Sequence, residues 1–467
     1  MDVSNAQEWT AARLARLTGG CWTDEPQGAF SGFTFDARQL KPGEVFIALT
    51  CGQRDGHAFV AQAAEQGAAA ALVERRQGGA LPQLLVPDTL RAMAAIGRDA
   101  RRHFRAPVIG VTGSCGKTST KEMLRCLLGE ARVHATAGNW NNRIGVPMTL
   151  FGLDSAQQDY AVIEAGINQP GEMACLGEMI EADLCVLTNI GAAHLELLGS
   201  REGIAREKSE LVAFARADAP LILPVDALRY PALAALRARC IVLAEMGCKV
   251  PAGVRAQVSF RIEPAVDARQ QRVVLEQAGE SAVYELASSS PGMAQNAALA
   301  LIAARQLGVP VETLQARLPR WRPGATRGRL IEAGGRLIYS DCYNANPDSL
   351  LDALIAFTRA TPEAQPRCYV LGAMNELGAD AVPLHRECGA ALRLRHGDRA
   401  VFLGPPELAG AYEAGALASG ADPAQLSRAG EPSAVQSTIA DFSGALFLKG
   451  SRSYQLEALL PDTAIEV

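Results

Sequence analysis

The segment Gly113-Ser114-Cys115-Gly116-Lys117-Thr118 constrains this chain more than any other. It follows an apolar run, Val108-Ile109-Gly110-Val111, and opens a stretch of helical periodicity over 117–128. A strand, a glycine-bounded loop and a helix in that order make a cradle for an anion. The glycines let the backbone curl until its N–H groups face inward, and the helix adds the positive end of its dipole. In this pattern Lys117 reaches the β- and γ-phosphates of a nucleotide and Thr118 binds Mg²⁺. The long form of the motif begins with glycine where this chain has Val111, so the loop is the shorter G-x-x-G-K-T variant. The expected phosphate-side contacts are Gly113, Ser114, Cys115, Gly116, Lys117, Thr118 and Ser119, and the expected ligands are ATP and Mg²⁺. The motif specifies nucleotide phosphates, not the reaction they serve.

Such a loop belongs at the carboxyl end of a parallel strand, and the rest of the chain repeats that grammar. Apolar runs at 45–49, 70–73, 160–164, 184–188, 337–339, 368–371, 401–403 and 446–448 predict strands. Further strands are expected at 256–262 and 272–276. Helical stretches fall at 57–67, in an arginine-rich segment ending near Arg105, at 204–214 and at 296–307. Strands alternating with helices predict an α/β fold with doubly wound parallel sheets. Pro107 opens the phosphate-loop unit, and Trp321-Arg322-Pro323-Gly324 reads as a linker. The 467 residues suit three domains. These are a small α/β N-terminal domain over 1–106, a central doubly wound P-loop domain that binds ATP over 107–322, and a Rossmann-like α/β C-terminal domain over 323–467.

Charge and cysteine usage exclude several partners. A net charge of −5 leaves no general basic field for nucleic acid. No apolar run approaches the roughly 18 residues of a membrane span, and the polar segment 1–10 does not read as a signal peptide. The 11 cysteines are scattered without a CxxC pair. This argues against a disulfide framework or zinc site and for a reducing, cytoplasmic setting.

Several polar groups stand where strands end. Glu164 closes the strand at 160–164, one strand from the phosphate loop, and is placed to hold Mg²⁺. His194 lies in Thr188-Asn189-Ile190-Gly191-Ala192-Ala193-His194 after the next strand, and its spacing leaves structural and catalytic readings open. Lys208, taken alone, is a surface lysine of a helix. In Asp341-Cys342-Tyr343-Asn344-Ala345-Asn346-Pro347-Asp348-Ser349, Pro347 and Asp348 are set to start a helix. Tyr343, Asn344 and Asn346 offer more hydrogen-bonding groups than capping needs, and a ligand contact is expected there.

In this order the segments resemble the Mur ligase family over nearly the whole chain. The likeness is carried by Phe35-Asp36-Ala37-Arg38, Lys41-Pro42-Gly43-Glu44, Asp55-Gly56-His57, the phosphate loop and Gly138-Asn139-Trp140-Asn141-Asn142-Arg143-Ile144-Gly145. It continues through Glu164, Ala193-His194-Leu195-Glu196, Lys208, Gly328-Arg329, the 341–349 segment and Lys449-Gly450-Ser451-Arg452. The resemblance implies an ATP-dependent amide-forming ligase. Tyr343-Asn344-Ala345-Asn346-Pro347 points, within the family, to joining D-alanyl-D-alanine to UDP-N-acetylmuramoyl tripeptide. That reaction passes through an acyl phosphate and yields the pentapeptide precursor of peptidoglycan. The first domain would hold the UDP-sugar peptide, the second ATP, and the third would close over both.

The resemblance also implies roles for individual residues. Lys117, His194, Lys208 and Lys449 are catalytic. Thr118, Glu164, His194 and Lys208 form the Mg²⁺ site, with Lys208 carbamylated by CO₂. Asn296, Arg329 and Asp341 contact the nucleotide. Asp36, Arg38, Asn141, Asn142, Tyr343, Asn344, Asn346 and Arg452 face the substrates. A cytoplasmic monomer is implied, with neither nucleic acid nor membrane as partner. Another Mur-type ligase with a different amino acid, and a nucleotide-binding homologue without catalysis, remain open alternatives. The chain departs from the family pattern at Ala37, Cys51, Gln169, Gly292 and Ala373, where serine, glycine, histidine, histidine and aspartate are common.

Overall fold

The computed structural model describes residues 8–52, 54–333, 335–460 and 465–466, so most of the polar N-terminal segment read above lies outside it. Among the described residues three large sheets follow one another along the chain, beside two two-stranded ones. The first has five strands in the order Cys21–Trp22, Gln83–Leu85, Ala70–Val73, Glu44–Ile47 and Gly32–Thr34. Alternation along one strand fills both of its faces. Val45 and Ile47 join a core with Trp9, Leu14, Met93 and Ile96, while Phe46 joins Ala37, Leu40, Val60 and Ala63 on the other side. The helix expected at 57–67 opens instead as a 3-10 turn, Gly56–Phe59, before Val60–Glu65. Asp55 tightens that turn by accepting from the His57 amide (3.0 Å), and the buried His57 ring bridges Asp55 (2.8 Å) and the Glu74 amide (2.9 Å).

The central sheet has nine strands. In order they are Val133–Ala135, Tyr160–Glu164, Val108–Thr112, Leu184–Leu187, Leu221–Pro224, Cys240–Glu245, Ala256–Pro264, Gln271–Gln277 and Glu280–Leu286. Pairing is parallel as far as Ala256–Pro264 and antiparallel beyond. The phosphate-loop strand lies between two parallel neighbours, with Val111 opposite Glu164 and Thr112 opposite Leu187. Its carboxyl end therefore opens between the ends of both. Helices Lys117–Leu128 and Pro291–Gln306 cover one face. The second of these starts five residues before the expected 296, because Ser290 caps it by accepting from the Met293 amide (2.9 Å). Pro291 sits at the first position, where a missing N–H breaks no helix bond.

The opposite face of the central sheet shares one continuous core with the first unit, in which Trp9, Val45 and Met93 join Leu150, Ile163 and Cys185. Arg101, on helix Thr89–His103, crosses this junction with a side chain that is 0% exposed. Its guanidinium donates to the carbonyls of Ile180 and Glu181 and to the Asp183 carboxylate, each at 2.8 Å. Those acceptors offset the cost of burying a cation. The change of sheet near residue 106 is thus not a gap in the packing.

The third sheet has seven strands, in the order Leu426–Ala429, Arg399–Leu403, Arg367–Gly372, Ala445–Lys449, Arg336–Asp341, Arg329–Ala333 and Ile465–Glu466. The first five are parallel and the last two antiparallel. Tyr339, Phe357, Tyr369 and Phe447 form an aromatic cluster against one face. Among the described residues no helix is long and apolar enough to cross a membrane.

Arg101→Ala strips three acceptors of their donor at a buried junction and should cost on the order of 3 kcal/mol. The change should appear as a lower chemical-denaturation midpoint, followed by the fluorescence of Trp9 and Trp22. A midpoint equal to that of the parent would show that the apolar core alone joins the two units.

Candidate active site

The carboxyl ends of the second and third sheets face each other across a cleft of about 450 Å³. The phosphate loop forms one wall. Gly113 has φ +149°, and a Cβ there would lie 1.8 Å from Thr188 Oγ1; Gly116 has φ +79°, and its Cβ would lie 2.5 Å from the Asn296 amide. Neither position admits a side chain. The segment after strand Leu184–Leu187 shapes the loop. Thr188 Oγ1 donates to Cys115 O (2.5 Å), and Asn189 Oδ1 accepts from the amides of Ser114 (3.1 Å) and Cys115 (2.9 Å). Ser114 Oγ accepts from the Gly191 amide (2.9 Å). Two amides expected to face an anion are therefore turned onto Asn189, which leaves the helix start from Gly116 to Ser119 as the anion-facing part. Lys117 Nζ donates to Gly113 O (2.9 Å), and burial pushes its pKa down.

Behind the loop lies a set of charged groups with unsatisfied atoms. Glu164 is 1% exposed; Oε1 accepts from Asn141 Nδ2 (2.6 Å), whereas Oε2 has no hydrogen-bond partner. Buried Lys121 stands 4.0 Å from that oxygen and donates to Thr136 O (2.6 Å) and Gly138 O (2.8 Å), fixing the turn that leads to Asn141. Lys208 is not a surface lysine, as its helix position alone suggests. It is 1% exposed with Nζ unpartnered. Burial, reinforced by the nearby positive charge of Lys117, pushes its pKa well below the ordinary lysine value. An orphaned buried carboxylate oxygen and an orphaned buried amine are each costly; the carboxylate fits a site completed by a cation, and the amine does so only once converted to an anion. No three His, Cys, Asp or Glu side chains among the described residues form a ready-made cation cage.

The third unit supplies the opposite wall. Asp341 and Lys449 end adjacent parallel strands in direct register, and their side chains pair at 2.5 Å. Lys449 Nζ also donates to Asn344 O (3.2 Å). The Arg327 guanidinium stacks 3.8 Å over the Tyr343 ring. Asn346 caps helix Pro347–Ala360 by accepting from the Ser349 amide (2.9 Å), and its amide also stands 3.7 Å from Cys115 Sγ. Asp348 accepts from the Ala192 amide (3.1 Å). Asp352 accepts from Ser290 Oγ (2.5 Å) and the Gly292 amide (2.7 Å), and burial raises its pKa. A Cβ at Gly292 would meet that carboxylate at 3.0 Å, so the absent side chain makes room for Asp352. His194 Nδ1 lies 2.6 Å from Glu376 Oε2.

The cleft thus gathers Ser114, Cys115, Gly116, Lys117, Thr118, Ser119, Asn141, Glu164, His194, Asn296, Asp341, Tyr343, Asn344, Asn346 and Lys449 from the expected set. Gly113 and Lys208 lie behind its wall. Four other expected residues are engaged elsewhere. Arg38 chelates Asp36 (2.8 and 2.9 Å) and holds its pKa down to about 2. Asn142 Oδ1 accepts from the Ile144 (3.1 Å) and Gly145 (2.9 Å) amides, and Arg452 pairs with Glu457. Arg329 begins strand Arg329–Ala333 and does not line the cleft, whereas Arg327 does. Sequence reasoning passed over Arg327, Asn189, Lys121, Asp352 and Glu376. Asn189 and Glu376 follow the carboxyl ends of parallel strands, a signal that applies to both. Lys121 and Asp352 look in sequence like ordinary helix-surface charges.

Residues 111–304 match the Mur ligase middle domain and residues 326–445 the Mur ligase glutamate ligase domain. The chain belongs to the Mur ligase family. It is 33% identical to the UDP-N-acetylmuramoyl-tripeptide–D-alanyl-D-alanine ligase of Treponema pallidum, across 92% of this chain and 93% of that one. Among solved structures, MurF from Acinetobacter baumannii superposes with a TM-score of 0.83 at 28% identity, covering 97% and 98% of the two chains. MurF from Thermotoga maritima in complex with ADP superposes with a TM-score of 0.77 at 26% identity, covering 92% and 96%.

Gly113→Ala forces a methyl group into Thr188, an overpacking of about 1–3 kcal/mol that should weaken ADP binding roughly 10- to 100-fold. Titration calorimetry with ADP reads this directly. Parent-like affinity would mean that the loop does not set the nucleotide's position.

Proposed function

We propose that this protein is an ATP-dependent ligase that joins D-alanyl-D-alanine to UDP-N-acetylmuramoyl tripeptide, forming the pentapeptide precursor of peptidoglycan in the cytoplasm. One observation carries the reading: a single cleft unites a phosphate loop from the second unit with the Asp341–Lys449 pair and the 343–349 segment from the third. A simple nucleotide hydrolase has no use for the second wall. The family membership and the names of the relatives support the same reaction.

The chemistry needs a carboxylate and a phosphoryl group held in line, then an amine brought to the resulting acyl carbon. The terminal carboxylate of the tripeptide attacks the γ-phosphorus of ATP, and the bond to ADP breaks. The amine of D-alanyl-D-alanine adds to the acyl carbon, a proton leaves the nitrogen, and phosphate departs with the electron pair of the broken C–O bond. Negative charge grows first on phosphoryl oxygens and then on the oxyanion. Lys117 on one wall and Lys449 on the other are the fixed cations placed to meet it. Asp341 orients Lys449, and Asn296 and Arg327 flank the nucleotide. Asn141, at the cleft, is assigned to the peptide end of the substrate, with Asp36, Arg38 and Asn142 toward its remote sugar end. Tyr343, Asn344 and Asn346 are assigned to the reacting ends.

Mg²⁺, when bound, would add positive charge beside the phosphates, and Thr118, Glu164, His194 and a Lys208 carbamate are the groups that would hold it. Lys208 is suited to that modification. Its depressed pKa favours the neutral amine, whose lone pair can attack CO₂, and loss of one proton then gives the anionic carbamate.

The test is ATP-dependent phosphate release with UDP-N-acetylmuramoyl tripeptide, with and without D-alanyl-D-alanine. Release should require both, with the pentapeptide seen by mass. Release without the dipeptide would exclude this reaction. Lys208→Ala should be inactive and regain turnover with short carboxylates; full activity without them would remove the carbamate from the scheme.

A further inference from the structure

Among the described residues, Glu181, His194, Ala278, Glu376 and Gln455 hold a left-handed backbone without being glycine. Two of these five meet across the boundary between the second and third units. His194 has φ 61° and Glu376 φ 65°, and His194 Nδ1 lies 2.6 Å from the Glu376 carboxylate, an ion-pair contact in which Nδ1 is not aligned for a hydrogen bond. A left-handed conformation is unfavourable for such residues, so it persists where the surroundings enforce it. Here they do so on both sides.

The loop after strand Arg367–Gly372 presents Glu376 and is held at each preceding residue. The Ala373 amide donates to Leu403 O (2.8 Å). The Met374 amide donates to Nε2 of buried His385 (2.9 Å), whose Nδ1 rests on Ala381 O (2.6 Å). The Asn375 amide donates to Ser451 Oγ (2.9 Å), and its side chain to Ser453 Oγ (3.1 Å). Across the boundary, the Glu196 amide donates to Glu376 O (3.1 Å), locking helix Leu195–Leu198 against the same loop. The carboxylate is therefore aimed by a rigid support although half of its surface is open to water. A carboxylate turned into line with one imidazole nitrogen fixes the proton there and leaves the lone pair on the other, which is how histidines that bind cations are commonly oriented, and Glu376 is already within reach to do so.

We propose that Glu376 is a positioning residue for the ligase site. The third unit delivers its carboxylate to His194 Nδ1 and fixes the ring with Nε2 as the cation-facing nitrogen. Seating of the third unit and completion of the cation site are then a single event. This rests on the ligase reading of the cleft.

The experiment compares the full-length parent protein with Glu376→Ala and Glu376→Gln. Mn²⁺ binding is measured by electron paramagnetic resonance with ADP present, the His194 ring by its nitrogen-15 shifts, and turnover by kcat and the KM for ATP. Glu376→Ala should weaken Mn²⁺ binding and lower kcat by about 10- to 100-fold, the usual effect of losing an orienting partner. The KM for ATP should hold, and the ring should lose its fixed tautomer. Glu376→Gln keeps an oxygen acceptor for Nδ1–H and should recover much of both. Parent-like Mn²⁺ affinity in Glu376→Ala overturns the proposal. Equal losses in both variants with a lowered melting temperature also overturn it, by making the contact structural. The Mn²⁺ measurement needs no acceptor substrate. A parent protein that fails to ligate but loses Mn²⁺ with Glu376 would sink the ligase reading and leave the positioning role standing.

Discussion

The site depends on the parallel pairing of strand Val108–Thr112 with a neighbour on each side. Backbone hydrogen bonds fix where three strands end, and that decides which side chains can meet. Because Val111 lies opposite Glu164 and Thr112 opposite Leu187, the phosphate loop emerges between a carboxylate on one flank and the Thr188–Asn189 pair on the other. A register shift of one residue would turn Glu164 to the opposite face of the sheet. The same logic recurs in the third sheet, where direct register places Asp341 against Lys449. Two unrelated pieces of sequence thus become complementary walls through ladder geometry alone.

Charge inside those walls is arranged against the immediate interest of stability. Glu164 keeps a buried oxygen without a hydrogen-bond partner, Lys208 a buried amine without one, and burial lowers the pKa of both Lys117 and Lys208. Such groups destabilise a resting protein, and a fold optimised for stability alone would replace them. The backbone strain at His194 and Glu376 belongs to the same pattern. The offsetting terms lie elsewhere, in the continuous apolar core of the first two units and the aromatic cluster of the third.

Much of this was legible in the sequence, and the limits have physical causes. Buried parallel strands read as apolar runs, so 160–164 and the helix at 117–128 came out with their observed bounds. The glycines of the phosphate loop and the end-of-strand position of Glu164 announce their roles because few other residues can fill those positions. Partners fixed by tertiary contact were not legible. Lys208 reads as a surface charge because its burial comes from elements distant in the chain, and Asp352 because its partner helix start at Ser290–Gly292 is sixty residues away. Asp36, Arg38, Asn142 and Arg452 were legible only through the family resemblance, and local ion pairs and caps hold them outside the cleft.

The unequal joints between the three units carry an evolutionary consequence. The first and second are welded by a common hydrophobic interior and the enclosed guanidinium of Arg101, so a mutation in either is felt by both. The third meets them chiefly through short polar bridges such as Asp348 to Ala192 and Asp352 to Gly292. Such bridges tolerate drift in the residues around them. A lineage could therefore revise the 343–349 segment while leaving the phosphate loop untouched, which makes the third unit the freer one to diverge.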